Sequence, residues 1–316
     1  MALSTRGAAR RRAAMAFSKL SGDEQRILFG QLCNVFDPGV AVAFSSASSG
    51  LREPTLALLQ QLKADHEAAI ALCRKLGLRG CKKLREAKEI HVHQGGLYGA
   101  LSVADLTTLG TLGSLLPALE RLHIRYSAVA HDGVQRLAEG LGAGALPAVT
   151  SFALANMHVG DAGATALAAA LGRGALPRLK ILILCDAAIG NAGLVALAPA
   201  LRRLPALEGL DLERNPFGDE GIAALVAPPQ PPAGAPMAAA PPLPASALAP
   251  PTTALPKLKR LHLSSTQVAD AGCAALAAAF NSGALSPLDL LGMGGIPASV
   301  AAVDAVYERR ENMRPW

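Results

Sequence analysis

The sequence repeats one phrase of about 30 residues, and this repeat restricts the available folds more than any other feature. The copies begin at Leu116, Leu146, Leu176, Leu204 and Leu255, so successive copies start 30, 30, 28 and 51 residues apart. The last interval becomes ordinary once a proline-rich insert is removed. Self-similarity with a period of roughly 20–50 residues is typical of proteins built from stacked structural units. We therefore expect one array of similar units to occupy most of the chain.

Each copy contains two apolar periodicities. In the clearest copy, residues 179–184 read L-x-x-L-x-L, as in a short strand with one buried face. Residues 193–201 carry a small or apolar residue at every fourth position, which is a helical spacing. A short polar side chain precedes the helix in four copies and is expected to cap its first turn. These residues are Asp161, Asn191, Asp219 and Asp270.

A unit made of a strand, a turn and a helix cannot bury its own apolar edge, so the units must stack to form a continuous core. In length and in phrase, the units resemble the ribonuclease-inhibitor class of leucine-rich repeats over residues 84–309. The resemblance implies an α/β solenoid with parallel strands on the concave face and helices on the convex face. The turn asparagine of that family is retained only at Asn215. Strands are predicted at 90–93, 121–125, 151–155, 181–185, 209–213, 260–264 and 290–293.

Composition divides the chain into regions. Residues 1–19 are basic and are expected to form a disordered tail, and residues 20–83 a small helical domain. The repeats occupy 84–316 and are interrupted by a proline-rich insert at 228–253, which carries ten prolines and no charge and is expected to be disordered. Within the insert, residues 241–244 resemble a WW-domain ligand; the alternative is a neutral loop.

The helical domain carries two helix-start signals. Ser21 and Glu24 have the spacing of a capping box, and Asp37-Pro38 marks a second start with Asp as the cap. A longer amphipathic helix is predicted at 54–76. The apolar face of the first helix is predicted to consist of Ile27, Leu28 and Leu32.

Two short helices with an Asp-Pro start between them resemble the F-box. The matching positions are Leu20, Glu24, Leu32, Asp37, Pro38, Val40, Phe44 and Arg52. Ser21 replaces the family's proline, and the usual tryptophan near Leu51 is missing. The resemblance implies docking to a Skp-type adaptor of a cullin ubiquitin ligase through Leu28, Leu32 and Pro38. The alternative is a helical cap that closes the open end of the solenoid.

Charge and cysteine content narrow the class of protein. Residues 1–115 carry 15 Lys or Arg against 9 Asp or Glu, whereas residues 116–316 carry 15 of each, which argues against nucleic acid as a partner of the repeats. No run of about 18 apolar residues predicts a membrane span. The five scattered cysteines predict free thiols in a reducing compartment, the cytoplasm or nucleus. The arginine-rich N-terminus is also compatible with an organelle-targeting segment.

The sequence lacks the spacing of a P-loop, of GxSxG and of HExxH, so neither an enzyme nor a cofactor or metal is predicted. Exposed strand positions instead align in rows on the concave face. The middle row reads His91, His123, Ala153, Ile183, Asp211, His262 and Gly292. The imidazoles of His91, His93 and His123 could hold a metal ion, but polar contact residues are the preferred interpretation. Asp211 beside His262 is interpreted as an ion pair rather than an acid–base dyad.

The centre of this face is apolar and its flanks are charged, as is usual for surfaces that recognise proteins. The predicted partner-binding residues are Arg121, His123, Arg125, Ala153, Ile181, Ile183, Cys185, Asp211, Glu213, Arg260 and His262. Three functions remain open for a chain expected to be monomeric. The first is a substrate-recognition adaptor of a ubiquitin ligase, the second a general interaction scaffold, and the third a GTPase-activating protein for Ran.

Overall fold

The computed structural model describes residues 19–46, 49–93, 101–125, 131–227, 255–309 and 314–315. The chain divides into two compact units, Met1–Arg85 and Glu86–Trp316, each of which is described separately. The boundary predicted from the sequence lies two residues earlier, between residues 83 and 84. The predictions for the basic tail up to residue 18 and for the proline-rich insert lie outside the described residues.

The first unit consists of helices. Its helices are α1 (Gly22–Leu32), α2 (Gly39–Ser45), α3 (Ser49–Lys75) and α4 (Cys81–Glu86). The capping box at the start of α1 is present as predicted, because the Ser21 N–H donates to Glu24 Oε2 at 2.8 Å and the Glu24 N–H donates to Ser21 Oγ at 3.3 Å. The N–H and the hydroxyl of Ser21 both donate to the Glu24 carboxylate and lower its pKa. Helix α3 begins five residues before the predicted start at residue 54.

The core of this unit differs from the predicted apolar face of α1. Phe29 is fully buried with Ala41, Leu59 and Leu62, and its ring centroid lies 6.1 Å from that of Phe44. Ile27, predicted to face inward, is 64% exposed. The large Phe29 ring fills the space between α1 and the following helices, which turns the neighbouring side of α1 outward.

The second unit contains an eight-stranded parallel sheet with its strands in sequence order. The strands are β1 (Glu89–His93), β2 (Arg121–Arg125), β3 (Ser151–Ala155), β4 (Ile181–Ile183), β5 (Gly209–Asp211), β6 (Arg260–His262), β7 (Leu290–Gly292) and β8 (Arg314–Pro315). The seven predicted strands are all present, although β4, β5 and β6 have three residues instead of five. Backbone hydrogen bonding between neighbouring repeats continues past these strands, since the Leu184 N–H donates to the Asp211 carbonyl at 2.8 Å.

A helix follows each of the first seven strands. These helices are α5 (Val103–Thr111), α6 (His131–Gly140), α7 (Gly160–Gly172), α8 (Asn191–Arg203), α9 (Asp219–Val226), α10 (Asp270–Asn281) and α11 (Val300–Tyr307). Leu122, Leu182, Leu210 and Leu261 are almost fully buried on one side of the sheet, and the helices bury leucines such as Leu197. The core is therefore a leucine layer between strands and helices, which agrees with the predicted solenoid.

The polar residues at the helix starts act differently from the prediction. Asp161 lies in the first turn of α7 but accepts hydrogen bonds from Gly190 N–H at 2.7 Å and Gly193 N–H at 3.0 Å, at the N-terminus of α8. Asp219 is the first residue of α9 and accepts from the N–H groups of Ala269 and Gly272 at the N-terminus of α10, at 2.7 and 2.9 Å. Asn191 and Asp270 act in the same way on α9 and α11. Each cap therefore satisfies the helix of the next repeat rather than its own.

The glycines of the repeat permit these caps to approach. A Cβ at Gly193 would lie 2.5 Å from Asp161 Oδ1, and one at Gly272 would lie 2.6 Å from Asp219 Oδ1. Such contacts are too short for a carbon and an oxygen that share no bond. The recurring glycine therefore leaves room for the carboxylate of the preceding repeat.

Replacing Asp219 with alanine tests the cap between repeats. We expect a loss of about 1 kcal/mol in the free energy of unfolding, because two buried N–H groups at the start of α10 lose their acceptor. Asp219→Asn is the matched control, since Asn191 fills the same role one repeat earlier. Urea denaturation measures both variants. Equal stability of Asp219→Ala and wild type would contradict the assignment of the cap.

Candidate protein-binding face

Three rows of side chains cross strands β1 to β6 on the side opposite the buried leucines, and we call this surface the strand face. The pairing register places His91, His123, Ala153, Ile183, Asp211 and His262 side by side in its middle row. One flanking row runs through Glu89, Arg121, Ser151, Ile181, Gly209 and Arg260. The other begins with His93, Arg125 and Ala155 and continues past the short strands to Cys185 and Glu213. These are the rows that the aligned repeats predict.

The β1–β2 end of the strand face is rich in imidazole and guanidinium groups. Arg121 and His91 both pair with Glu89. The rings of His91 and His123 meet edge to face with their centroids 4.9 Å apart, and His123 Nε2 lies 2.8 Å from Ser151 Oγ. Burial, together with the nearby His91 and Arg125, lowers the pKa of His123 to about 4. His123 is therefore neutral at physiological pH.

The centre of the strand face is apolar. Ile181 and Ile183 are half-buried, whereas Leu182 between them is fully buried in the core. Ala153 has no exposed surface, because its small side chain lies in the register between the larger His123 and Ile183. Ala153 thus shapes the face without offering contact area of its own.

Cys185 lies at the edge of this apolar centre. Burial and, to a smaller extent, the Asp211 carboxylate raise the pKa of its thiol to about 11. The thiol is therefore protonated at neutral pH and is a poor nucleophile. All five cysteines are free in the structure.

The β5–β6 end carries two carboxylates around one imidazole. His262 Nδ1 lies 3.5 Å from Asp211 Oδ1 and 3.5 Å from Glu213 Oε2. The guanidinium of Arg260 lies over Gly209, where the absence of a side chain leaves room for it. The sequence predicts the ion pair between Asp211 and His262 but not the approach of Glu213 to the same imidazole. The signal was present, since two residues separated by one position in a strand face the same side.

The predicted histidine cluster does not assemble a metal site. Among the described residues, one group of His, Cys, Asp or Glu has ligand atoms within 4.8 Å of one another, and it consists of Asp211, Glu213 and His262.

None of the helices in the described parts of the chain is long and apolar enough to cross a membrane.

The predicted adaptor contacts lie in the first unit. Leu28 and Pro38 are half-buried, and the side chain of Leu32 lies outside the described part of the structure. Two apolar side chains near them are exposed, Ile27 at 64% and Val40 at 56%. The accessible apolar surface of α1 and α2 therefore includes residues beside those that the sequence singled out.

The low pKa of His123 makes stability depend on pH. Because its folded pKa of about 4 lies below the ordinary value of 6.5, the folded state resists protonation. The contribution of His123 to stability is complete above pH 6.5 and is lost as the pH falls towards 4. Urea denaturation at pH 7 and pH 4.5 should show a smaller pH dependence in His123→Gln than in wild type. An imidazole titration of His123 with a midpoint near 6.5 would contradict this.

Part of the repeat region resembles a known protein family. A leucine-rich-repeat family model matches residues 205–226 and 254–277. No curated protein matches the sequence. Among solved structures, the chain is similar to an internalin from Listeria monocytogenes, with 15% identity, coverage of 72% of this chain and 60% of that chain, and a TM-score of 0.35. This chain therefore spans less than two thirds of that internalin.

Two further structures are similar at the same low level. A pollen receptor kinase 3 shares 17% identity over 72% of this chain and 71% of its own, with a TM-score of 0.31. TLR13 in complex with ssRNA13 shares 18% identity over 68% of this chain and 24% of its own, with a TM-score of 0.35. The assignment of the fold therefore rests on this chain's own repeats and sheet. With seven predicted parallel strands in sequence order, each followed by a helix, the chain has the fold of a leucine-rich-repeat solenoid.

Proposed function

We propose that the protein is an interaction module that binds a protein partner on the strand face. The observation that carries this proposal is the pair Ile181 and Ile183, two apolar side chains that remain half-exposed in the middle of a charged surface. The helices cover the other side of the sheet, and none of the described helices packs on this side. An apolar centre with a polar rim is the usual composition of a surface that binds proteins.

The β2 end of the face suggests the chemistry of one contact. Arg125 is half-buried, and its Nε has no hydrogen-bond partner among the described residues. A buried donor without an acceptor costs free energy, which a partner's carboxylate or carbonyl oxygen would recover. We therefore expect the bound segment to place an acceptor or an acidic side chain at Arg125 and an apolar side chain over Ile183.

Site-specific crosslinking tests this proposal. A photoreactive amino acid at position 183 should form adducts with a small set of proteins in extracts of the source cell. The matched control is position 195 on α8, where Val195 is 38% exposed on the helical side of the unit. Excess unlabelled wild type should suppress the adducts, and excess Arg125→Glu should suppress them less. Identical adducts from positions 183 and 195 would contradict binding at the strand face.

A second function is favoured by the exposed apolar residues of the first unit. We propose that α1 and α2 dock a Skp-type adaptor of a cullin ubiquitin ligase, so that the repeats present a bound protein for modification. The second helix begins at Gly39, with Pro38 rather than Asp37 at its N-cap, although Asp37 Oδ1 accepts from the Gly39 N–H at 3.2 Å. The capping box and this start next to Asp37-Pro38 support the F-box resemblance, and the exposure of Ile27 and Val40 leaves apolar anchors accessible to a partner. Without that partner, α1 and α2 would serve the protein only as a helical domain beside the repeats.

Calorimetry with a purified Skp-type adaptor tests this second function. Ile27→Ala with Val40→Ala should weaken binding by about 2 kcal/mol or more, roughly thirtyfold, because a few buried anchors dominate such interfaces. The double variant should fold normally, since both side chains are exposed. The double change at two contacts that the F-box resemblance implies, Leu28→Ala with Pro38→Ala, removes half-buried side chains and is expected to lower stability as well. Absence of wild-type binding at about 100 μM would remove this function.

A further inference from the structure

Three potential metal ligands converge at the β5–β6 end of the strand face. Asp211 ends β5, Glu213 follows two residues later on the same side, and His262 stands opposite Asp211 in the register of β6. Their ligand atoms all lie within 4.8 Å of one another. All three side chains are half-buried, and that of His262 is only 12% exposed. The cluster is therefore a recessed part of the face rather than a group of solvated surface charges.

The distances suit a shared cation better than direct hydrogen bonds. Nδ1 of His262 lies 3.5 Å from Asp211 Oδ1 and from Glu213 Oε2, whereas a charge-assisted hydrogen bond between such atoms is about 2.7–2.9 Å long. Zn²⁺ binds nitrogen and oxygen ligands at about 2.0–2.2 Å in a tetrahedron, whose corners are then about 3.3–3.6 Å apart. The observed spacings match two edges of that tetrahedron.

Neighbouring groups hold the three ligands in place. The Glu213 N–H donates to Asp211 Oδ1 at 3.1 Å, which fixes the Asp211 carboxylate and leaves a second lone pair on that oxygen. The other oxygen of Glu213, Oε1, lies 3.5 Å from Arg214 Nε. The ring of His262 packs onto Gly292, where a Cβ would overlap it. Supporting contacts of this kind orient the ligands of metal sites.

The charge of the cluster also calls for a cation. Two half-buried carboxylates lie close together here and repel each other. Arg214 faces Glu213 from outside and is 62% exposed, so that its ion pair with Glu213 is largely screened by solvent. A divalent ion between the three ligands would balance the charge of both carboxylates.

We propose that Asp211, Glu213 and His262 bind one Zn²⁺ or a similar divalent ion of the first transition series. Three protein ligands leave the fourth tetrahedral position open on the strand face, where water or a donor atom of a bound protein can occupy it. The imidazole ligand selects against Ca²⁺ and Mg²⁺, which prefer oxygen ligands alone. The site does not depend on the proposed protein partner, and it can be tested without one.

Calorimetric titration of Zn²⁺ into the metal-free full chain tests the site. Wild type should bind one ion that Glu213→Gln and His262→Gln bind at least about tenfold more weakly, since each change removes a ligand. Glu208→Gln is the matched control, because Glu208 precedes the same strand but pairs with Lys259, with Nζ and Oε2 3.2 Å apart. Cys185→Ser is a second control, and it should bind as wild type does.

Melting curves separate loss of the site from loss of the fold. Without metal, Glu213→Gln should melt near the wild-type temperature, and added Zn²⁺ should raise the melting temperature of wild type and Glu208→Gln only. Unchanged Zn²⁺ affinity in Glu213→Gln would place the ion at other histidines or thiols and overturn the proposal. Absence of binding at about 100 μM Zn²⁺, or equal affinity for Ca²⁺, would overturn it as well.

Discussion

Each repeat of this protein forms hydrogen bonds with the next one that a single repeat could not form alone. The strands donate and accept their hydrogen bonds across the boundaries between repeats, because none of them folds back on itself. The helices follow the same rule at their N-termini, where Asp161, Asn191 and Asp219 accept from N–H groups of the following helix. A single repeat would leave both sets of polar groups without partners. The free energy of folding therefore resides largely in the contacts between repeats.

The hydrogen bonding between repeats also determines how the side chains are arranged on the strand face. Since the strands pair in register, equivalent positions of successive repeats lie beside one another. Each repeat therefore contributes one side chain to each row of the strand face. Large core leucines and small cap glycines keep the spacing regular, while the outward positions are free to vary. His123, Ile183 and Asp211 illustrate this, since the same strand position carries an imidazole, an apolar side chain and a carboxylate in different repeats. The face is thus divided into a basic end, an apolar centre and an end suited to a cation.

The solenoid fold, the strand positions and the rows of the strand face could be predicted from the sequence, because the repeat phrase occurs five times and its copies can be aligned. The targets of the caps could not be predicted, since the sequence does not show that Asp161 points towards the neighbouring helix rather than its own. The burial of Ala153 depends on the size of its neighbours across the sheet. Ile27 is exposed because Phe29 occupies the core instead. The apolar pattern of the sequence does not show which of two nearby apolar residues is buried. The convergence of Glu213 on His262 required the pairing of both strands.

Hydrogen exchange of the native protein tests most directly whether each repeat supplies hydrogen-bond partners to its neighbour. The amide protons of Gly193 and Gly272, which donate to side chains of the preceding repeat, should exchange slowly and together with that of Leu184, which donates across the sheet. Asp219→Ala should accelerate exchange at Gly272 while Gly193 remains protected. Exchange of Gly193 and Gly272 at the rate of an unstructured peptide, with Leu184 still protected, would contradict the account.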